Sequence, residues 1–114
     1  MDAMSCIFCA IAAGDIPATV VHSTDRVVAF RDLKPVAPVH ILVIPREHYE
    51  NVVELAADAD AMTDVMNAVT AVSESEGLAD GFRVVFNTGK DGGQEVGHVH
   101  AHVLGGRRME WPPG

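Results

Sequence analysis

The chain of 114 residues suits one domain with a modest core, and we predict a single domain over residues 1–114. Its eight Lys and Arg against 16 Asp and Glu give a net charge of −8, which argues against long nucleic acid as a partner. No apolar run reaches the roughly 18 residues of a membrane span and no signal peptide opens the sequence, so we expect a cytoplasmic protein without a membrane partner.

The first half of the chain predicts one short helix and three strands. "SCIFCAIAAGDIP" predicts a helix that is capped by Ser5 and ends near Gly14. "VVHSTDRVVAFRD" contains two apolar runs separated by "STDR", which is typical of a hairpin. "VHILVIP" predicts a central strand with His40, Leu42 and Ile44 on one face.

The second half predicts a long helix followed by two strands. Helical spacing of apolar residues runs from Asp58 to Glu76, with Gly77 as the stop. The expected core stripe of this helix is Met62, Val65, Met66, Val69 and Val72. "FRVVFN" and "HVHAHVLG" predict strands on either side of the glycine-rich "TGKDGGQ". This order favours an α+β domain in which the long helix covers an antiparallel five-stranded sheet.

Three histidines alternate with apolar residues in "HVHAHVLGGR" at His98, His100 and His102. On a strand they share one face at steps of about 6.6 Å, so the first and third lie too far apart to bind one metal ion together. One interpretation is that the three histidines simply lie on a solvent-exposed face of the sheet and have no further role. A second is a mononuclear metal site that also uses Glu95 and His40. We favour a third, because neutral imidazole attacks phosphorus and the loop "DGGQEVG" lets backbone N–H groups approach an anion.

The two cysteines, Cys6 and Cys9, form a C-x-x-C pair with three interpretations. A redox pair would need the strand-helix-strand context of a thioredoxin-like protein, which the sequence does not predict. Inert core cysteines and a metal site both remain open.

The segments around the histidines resemble a known family. "HVHAHVLGGR" resembles the histidine triad signature, in which apolar residues separate three histidines. "IFCAIAAGDIPATVV", "AFRDLKPVAPVHILVIP", "NTGKDGGQEV" and "WPPG" resemble the histidine triad nucleotide-binding branch, the purine nucleoside phosphoramidases, over nearly the whole chain. The dinucleoside polyphosphate hydrolases of the superfamily typically have proline where this chain has Gly105 and Gly106.

The resemblance implies a hydrolase that cleaves the P–N bond of purine nucleoside phosphoramidates through a nucleotidyl-histidine intermediate, without an organic cofactor. It assigns the attack to His100, phosphate binding to His102, a hydrogen-bonded relay to His40 and support of the strand to His98. Two alternatives are another nucleotide hydrolase or transferase, such as one acting on dinucleoside polyphosphates, and a non-catalytic nucleotide-binding regulatory module.

The resemblance also implies a site for a purine nucleotide of the AMP type. Its residues are Ile7, Phe8, Ile11, Phe30, Asp32, Leu33, Asn87, Gly93, Gln94, Glu95, Val96, His100, His102 and Trp111. Asp32 resembles the carboxylate that holds the ribose hydroxyls. Glu95 stands where some members have serine, so we expect its backbone to make the contact. Gly97 stands where many members have an aromatic residue, which implies a more open approach.

A structural zinc ion is implied as well, because some members of the superfamily bind zinc through C-x-x-C, a histidine after the central strand and the first triad histidine. The matching residues are Cys6, Cys9, His48 and His98, which would fill a closed tetrahedral shell. His22 matches no role, and we expect it at the surface.

A homodimer is expected because one sheet and two helices leave a small core. The long helix carries Ala61, Ala68 and Ala71, small enough for a second helix to approach, and "FRVVFN" is apolar on both faces. The resemblance implies that the sheet continues across the dimer and that Trp111, in the tail, lies near the neighbouring active site.

Overall fold

The computed structural model of the protein describes residues 6–114. Its elements, in chain order, are α1 (Ile7–Ala12), β1 (Val20–Ser23), β2 (Val27–Arg31), β3 (Val39–Pro45), α2 (Val52–Ala56), α3 (Ala59–Ser75), β4 (Phe82–Val85) and β5 (Ala101–Gly105). The predicted cap Ser5 lies outside the described residues, and the thiol of Cys6 accepts the Cys9 N–H at the start of α1. The five-residue helix α2, capped by Asn51, was not predicted.

The strands form one antiparallel five-stranded sheet in the order β1-β2-β3-β5-β4, which confirms the predicted α+β fold. Leu42 of β3 lies opposite His102 of β5, so both face the same side of the sheet. The alternation of side chains along β3 puts His40 and Ile44 on this side too, as the sequence predicted.

Strand β5 is shorter than "HVHAHVLG" predicted, because it begins at Ala101 rather than His98. The partner strand β3 ends at Pro45, which has no N–H to continue the ladder. The N–H of Val99 instead donates to the carbonyl of Tyr49 at 2.7 Å. His98 and His100 therefore precede the strand, in irregular chain held by other contacts.

Helix α3 covers one face of the sheet and occupies the predicted range. Asp58 caps it by accepting the Ala61 N–H at 3.1 Å, and the chain leaves it through Gly77 at a φ of 72°. Met66, expected in the core, is 37% exposed. Ala61 and Ala68, expected to face a second helix, are buried against the sheet instead, because the core stripe uses these small residues for close approach.

Helix α1 covers part of the opposite face. Phe8 and Cys6 pack there against Phe30 of β2 and Leu42 and Ile44 of β3. Within residues 6–114, no helix has both the length and the apolar character to cross a bilayer. His40 and His102 lie on the same face.

Candidate active site

An apolar cavity of about 280 Å³ lies between α1 and the first strands. Six residues of the predicted substrate site line it, Asp32 among them, together with six that were not predicted. Its lining consists of Ile7, Phe8, Ile11, Ile16, Pro17, Ala18, Phe30, Arg31, Asp32, Leu33, Lys34 and Leu42. The size and the apolar walls suit a flat heterocycle.

A second cavity of about 260 Å³, here called the histidine cavity, adjoins the first and shares Phe8, Asp32 and Leu42 with it. It brings together His100, His102 and four residues that the resemblance implies as phosphate-side contacts, namely Asn87, Gly93, Glu95 and Val96. Its full lining is Phe8, Asp32, Leu42, Asn87, Gly93, Glu95, Val96, His100 and His102. Asp32 thus lies at the junction of an apolar and a polar compartment.

Two of the predicted residues line neither cavity. The side chain of Gln94 binds protein groups, which are described below. Trp111 is 82% exposed. His22 on β1 is half-buried rather than fully at the surface.

A directed chain of hydrogen bonds ends at His102. The Val36 N–H donates to Nδ1 of His40 at 3.1 Å, so the proton of the neutral His40 ring is on Nε2. That Nε2 lies 2.9 Å from Nδ1 of His102, which therefore accepts and leaves the His102 proton on Nε2. This buried Nε2–H has no hydrogen-bond partner within residues 6–114. It is a donor without an acceptor.

Both rings of this chain are held neutral. Burial lowers the pKa of His40, partly offset by the carboxylate of Asp32. Burial, followed by the nearby His100 and His40, lowers the pKa of His102 to about 4. At neutral pH these rings therefore present fixed tautomers rather than charges.

His100 has the opposite orientation. Its Nδ1 lies 2.8 Å from the carbonyl oxygen of His98, and because a carbonyl only accepts, this nitrogen carries the proton. In the neutral ring the lone pair is then on Nε2. The ring of Phe8 packs edge-on against His100 with centroids 5.1 Å apart, which restricts rotation of the imidazole. The structure therefore juxtaposes a lone pair on His100 with an N–H on His102.

Asp32, His40 and His102 are close enough to suggest a metal site, with ligand atoms within 4.8 Å of one another. The hydrogen bond from Val36 argues against this use. A metal on Nε2 of His40 would force the proton onto Nδ1, where it would face the Val36 N–H. A hydrogen bond joins His40 to His102 instead, with the carboxylate of Asp32 3.4 Å from Nε2 of His40, and Glu95 belongs to no cluster of metal-binding type among residues 6–114.

The four predicted metal-binding residues do converge at one point. Nδ1 of His98 lies 3.4 Å from the sulfur of Cys6 and 3.4 Å from that of Cys9. Nδ1 of His48 lies 3.3 Å from the sulfur of Cys9. Tetrahedral zinc with its usual bond lengths separates a sulfur and a nitrogen ligand by about 3.6 Å. The donor types and their spacing fit zinc.

The surroundings of this cluster direct the lone pair of the His98 ring toward the cysteines. Nε2 of His98 lies 2.9 Å from the carbonyl of Pro45, so the proton is on Nε2 and Nδ1 is free to act as a ligand. His98 is fully buried, and burial lowers its pKa to about 4. Burial and the adjacent Cys6 raise the pKa of the Cys9 thiol to about 11, the opposite of what a reactive redox thiol needs.

The sequence located the side chains of the site but not the groups that orient them. The carbonyls of Pro45 and His98 and the N–H of Val36 set three histidine tautomers. Backbone groups carry no residue signature, so no pattern in the sequence could have found them. Leu42, shared by both cavities, was identified as a strand residue but not as a wall.

Known proteins are similar to this chain in sequence and in fold. The adenylylsulfatase HINT1 of Arabidopsis thaliana is 46% identical over 112 residues, which cover 95% of this chain and 76% of that protein. A 14 kDa zinc-binding protein of Zea mays is 42% identical over 118 residues, which cover 100% of this chain and 91% of that protein. A HIT family hydrolase from Legionella pneumophila has a TM-score of 0.92 and 45% identity, covering 96% of this chain and 100% of that chain.

The HIT domain family itself matches residues 13–109, a range that contains the relay, the histidine row and the glycine-rich loop. The relatives agree with this match in sequence and in fold, and they confirm the resemblance drawn from the sequence. The chain belongs to the HIT domain family and is similar to its histidine triad nucleotide-binding branch.

Proposed function

We propose that the protein hydrolyses purine nucleoside phosphoramidates, such as adenosine 5′-monophosphoramidate, to the nucleoside monophosphate and an amine. The observation that carries the proposal is the pairing of opposite tautomers in one cavity. His100 offers a lone pair for attack, and His102 offers an unpaired N–H for an oxygen of the phosphoryl group.

The nucleotide is proposed to span both cavities. The base lies in the apolar cavity, the ribose hydroxyls meet Asp32 at the junction, and the phosphate lies in the histidine cavity. Backbone N–H groups near Gly93 and Val96 and the side chain of Asn87 add donors on the phosphate side. These neutral donors bind one phosphate without a Lys or Arg in the cavity lining.

The reaction is proposed to take two steps. Nε2 of His100 forms a bond to phosphorus, the P–N bond breaks, and the amine leaves with one proton from a water molecule on the side of His102 and His40, while the His102 N–H stays bonded to a phosphoryl oxygen. The hydroxide left by that water then attacks phosphorus and releases the monophosphate from His100. The His98 carbonyl stabilises the charge on the His100 ring while Nε2 is bonded to phosphorus.

Replacing His100 by Ala tests the nucleophile. We expect H100A to lose turnover of adenosine 5′-monophosphoramidate while it still binds AMP, because the apolar cavity and the relay remain. H22A is the matched control, since His22 lies on β1 outside both cavities. Near-normal turnover by H100A, or equal loss in H22A, would sink the assignment.

Assays of the same protein with other substrates distinguish the proposed function from two alternatives. The relative from Arabidopsis thaliana is named an adenylylsulfatase, so adenylyl sulfate and a dinucleoside polyphosphate belong in the assay. Faster turnover of either compound than of the phosphoramidate would assign a different leaving group. Tight AMP binding with no turnover of any of them would support a non-catalytic nucleotide-binding module.

We further propose one structural zinc ion on Cys6, Cys9, His48 and His98. The relative from Zea mays is named a zinc-binding protein, and the donor spacing described above supports the same use here. Bound zinc would tie α1 to the segment that leads into β5 and add to stability. Two reduced thiols require a reducing compartment, which is why we place the protein in the cytoplasm.

Elemental analysis of protein purified without chelator tests the zinc proposal. We expect about one zinc ion per chain, lost in H48A and kept in the matched variant H22A. Zinc should also raise the melting temperature relative to chelator-treated protein. Absence of zinc together with freely titrating native thiols would favour inert core cysteines.

A two-fold homodimer is also proposed. Strand β4 is an edge of the sheet, and its Phe82 is 43% exposed, so antiparallel pairing of two β4 strands would continue the sheet. The tail lies beside this edge, because Arg83 donates to the carbonyl of Glu110 at 2.8 Å. Ala61 and Ala68 are buried in the core of the chain, but Ala71 is half-buried and Met66 is 37% exposed, so a helix contact would use residues such as these two. Light scattering should give twice the chain mass, and a monomer at micromolar concentration would refute the dimer.

A further inference from the structure

The side chain of Gln94 lies behind the glycine loop, defined here as residues 88–96. Its neighbours Gly93 and Glu95 line the histidine cavity, but Gln94 does not. Its amide instead reaches the segment that follows β3, where Glu50 is located. The sequence placed Gln94 among the substrate contacts, and the structure gives its side chain a different task.

All parts of this amide are bound to main-chain groups. Oε1 accepts the Gly89 N–H at 3.1 Å, while Nε2 donates to the carbonyls of Glu50 at 2.7 Å and Val96 at 2.9 Å. The two carbonyls can only accept and the N–H can only donate, so the orientation of the amide is determined by its partners. One side chain thereby joins the start and the end of the loop to a separate segment.

The loop has few other means of holding its shape. Gly89 and Gly93 have φ values of 70° and 75°, in the left-handed region, and contribute no side chains to pack. Within the loop, Gly93 donates to the carbonyl of Lys90 at 3.1 Å and the Gln94 N–H to that of Gly89 at 3.0 Å. These local bonds close a turn, but they do not attach it to the domain.

The segment to which Gln94 attaches the loop is itself fixed. The carbonyl of Tyr49 accepts the Val99 N–H at 2.7 Å, just before the histidine row continues into β5. The chain also approaches Glu50 closely at Gly97, where an added Cβ would lie 2.8 Å from Oε1 of Glu50. Gln94 therefore connects a glycine-rich turn to a well-anchored part of the domain.

We propose that Gln94 is a positioning residue for phosphate binding, a role that rests on the proposed function of the histidine cavity. Its amide holds the backbone N–H groups of the glycine loop in place before the ligand arrives. Without the Gln94 amide, the loop must become ordered when the phosphate binds. The free energy of this ordering weakens only the part of the affinity that depends on the phosphate. The base and ribose contacts lie in the apolar cavity and stay unchanged.

The experiment compares AMP with adenosine, which lacks the phosphate. Calorimetry on the zinc-replete full-length protein gives the ratio of the adenosine Kd to the AMP Kd. We expect this ratio to fall about tenfold in Q94A while the adenosine Kd stays constant. Q94E keeps the length and an acceptor for Gly89 but has no donor for the two carbonyls, so its ratio should fall at least as far. The matched control N67A removes an exposed amide from α3 and should leave the ratio unchanged.

Amide hydrogen exchange provides a second readout. We expect exchange in residues 88–96 to accelerate in Q94A without ligand and to slow again when AMP saturates the site. An unchanged ratio in both Q94 variants, or equal weakening of AMP and adenosine, would overturn the proposal. A wild-type protein that prefers AMP but does not hydrolyse phosphoramidates contradicts only the proposed reaction. A wild-type protein without preference for AMP overturns both.

Discussion

The hydrogen bonds that fix the tautomers of His40 and His102 predict how strongly each of these histidines affects turnover. In the proposed reaction, His102 acts on the phosphoryl group directly through Nε2–H, and His40 acts only by donating to Nδ1 of His102. Removing a donor aimed at charge that develops in the transition state costs about 2.7–4 kcal/mol, so H102A should lower kcat about 10²- to 10³-fold. The hydrogen bond that fixes the His102 tautomer contributes about 0.5–1.5 kcal/mol net, so H40A should lower kcat about tenfold or less.

A double-mutant cycle measures whether His40 works through His102. If it does, adding H40A to the H102A protein should change kcat by less than about twofold, because the donor that His40 orients is already absent. Turnover of adenosine 5′-monophosphoramidate at saturation gives kcat, and thermal melts of the free proteins control for folding. A full tenfold effect of H40A in the H102A background would show that His40 contacts the reaction itself, and the directed chain would then be wrong.

Three further predictions concern acid stability, the glycine loop and the tail. Because folding lowers the pKa of His102 from 6.5 to about 4, the unfolded chain binds more protons between these values, and this residue alone should cost metal-free protein about 2 kcal/mol of unfolding free energy from pH 7 to pH 4.5. His98, whose pKa burial also lowers to about 4, should add to the loss. Urea unfolding should show this loss, and H102Q should reduce it. G92A places a Cβ against Thr88, 2.7 Å from its N, so AMP should bind about tenfold more weakly while adenosine is unaffected. Deleting residues 111–114, which removes Trp111, should alter selectivity among phosphoramidates more than the AMP Kd, and unchanged selectivity would refute its role.

Much of the fold was predictable because its signals are local. The helical spacing from Asp58 to Glu76 matched α3, whose caps are read from single residues. The period of two along β3 correctly placed His40 with Leu42 and Ile44. The start of β5 was wrong by three residues because the strand ends where its partner does, at Pro45, and the sequence does not show which residues pair.

The direction in which a residue faces was harder to predict than its type. Met66 satisfies a helical apolar pattern, yet the stripe that packs on the sheet runs through the alanines and leaves Met66 partly exposed. Gln94 lies between two residues of the histidine cavity, yet its side chain faces the other way. Both errors arise because residues that are adjacent in the sequence lie close together in the fold while their side chains point in different directions.

The proposed catalytic and metal-binding roles of the histidine row are separated by protonation, and the backbone sets that protonation. His98 and His100 are the same residue type two positions apart, but a carbonyl binds Nε2 of His98 and Nδ1 of His100. The first ring therefore presents Nδ1 to the cysteines, and the second keeps Nε2 free for the proposed attack on phosphorus. His98 touches both proposed sites, because its ring faces the cysteines while its carbonyl binds the ring of the proposed nucleophile. If both proposals hold, a change that moves the Cys6 and Cys9 cluster should also move the acceptor on which the reactivity of His100 depends.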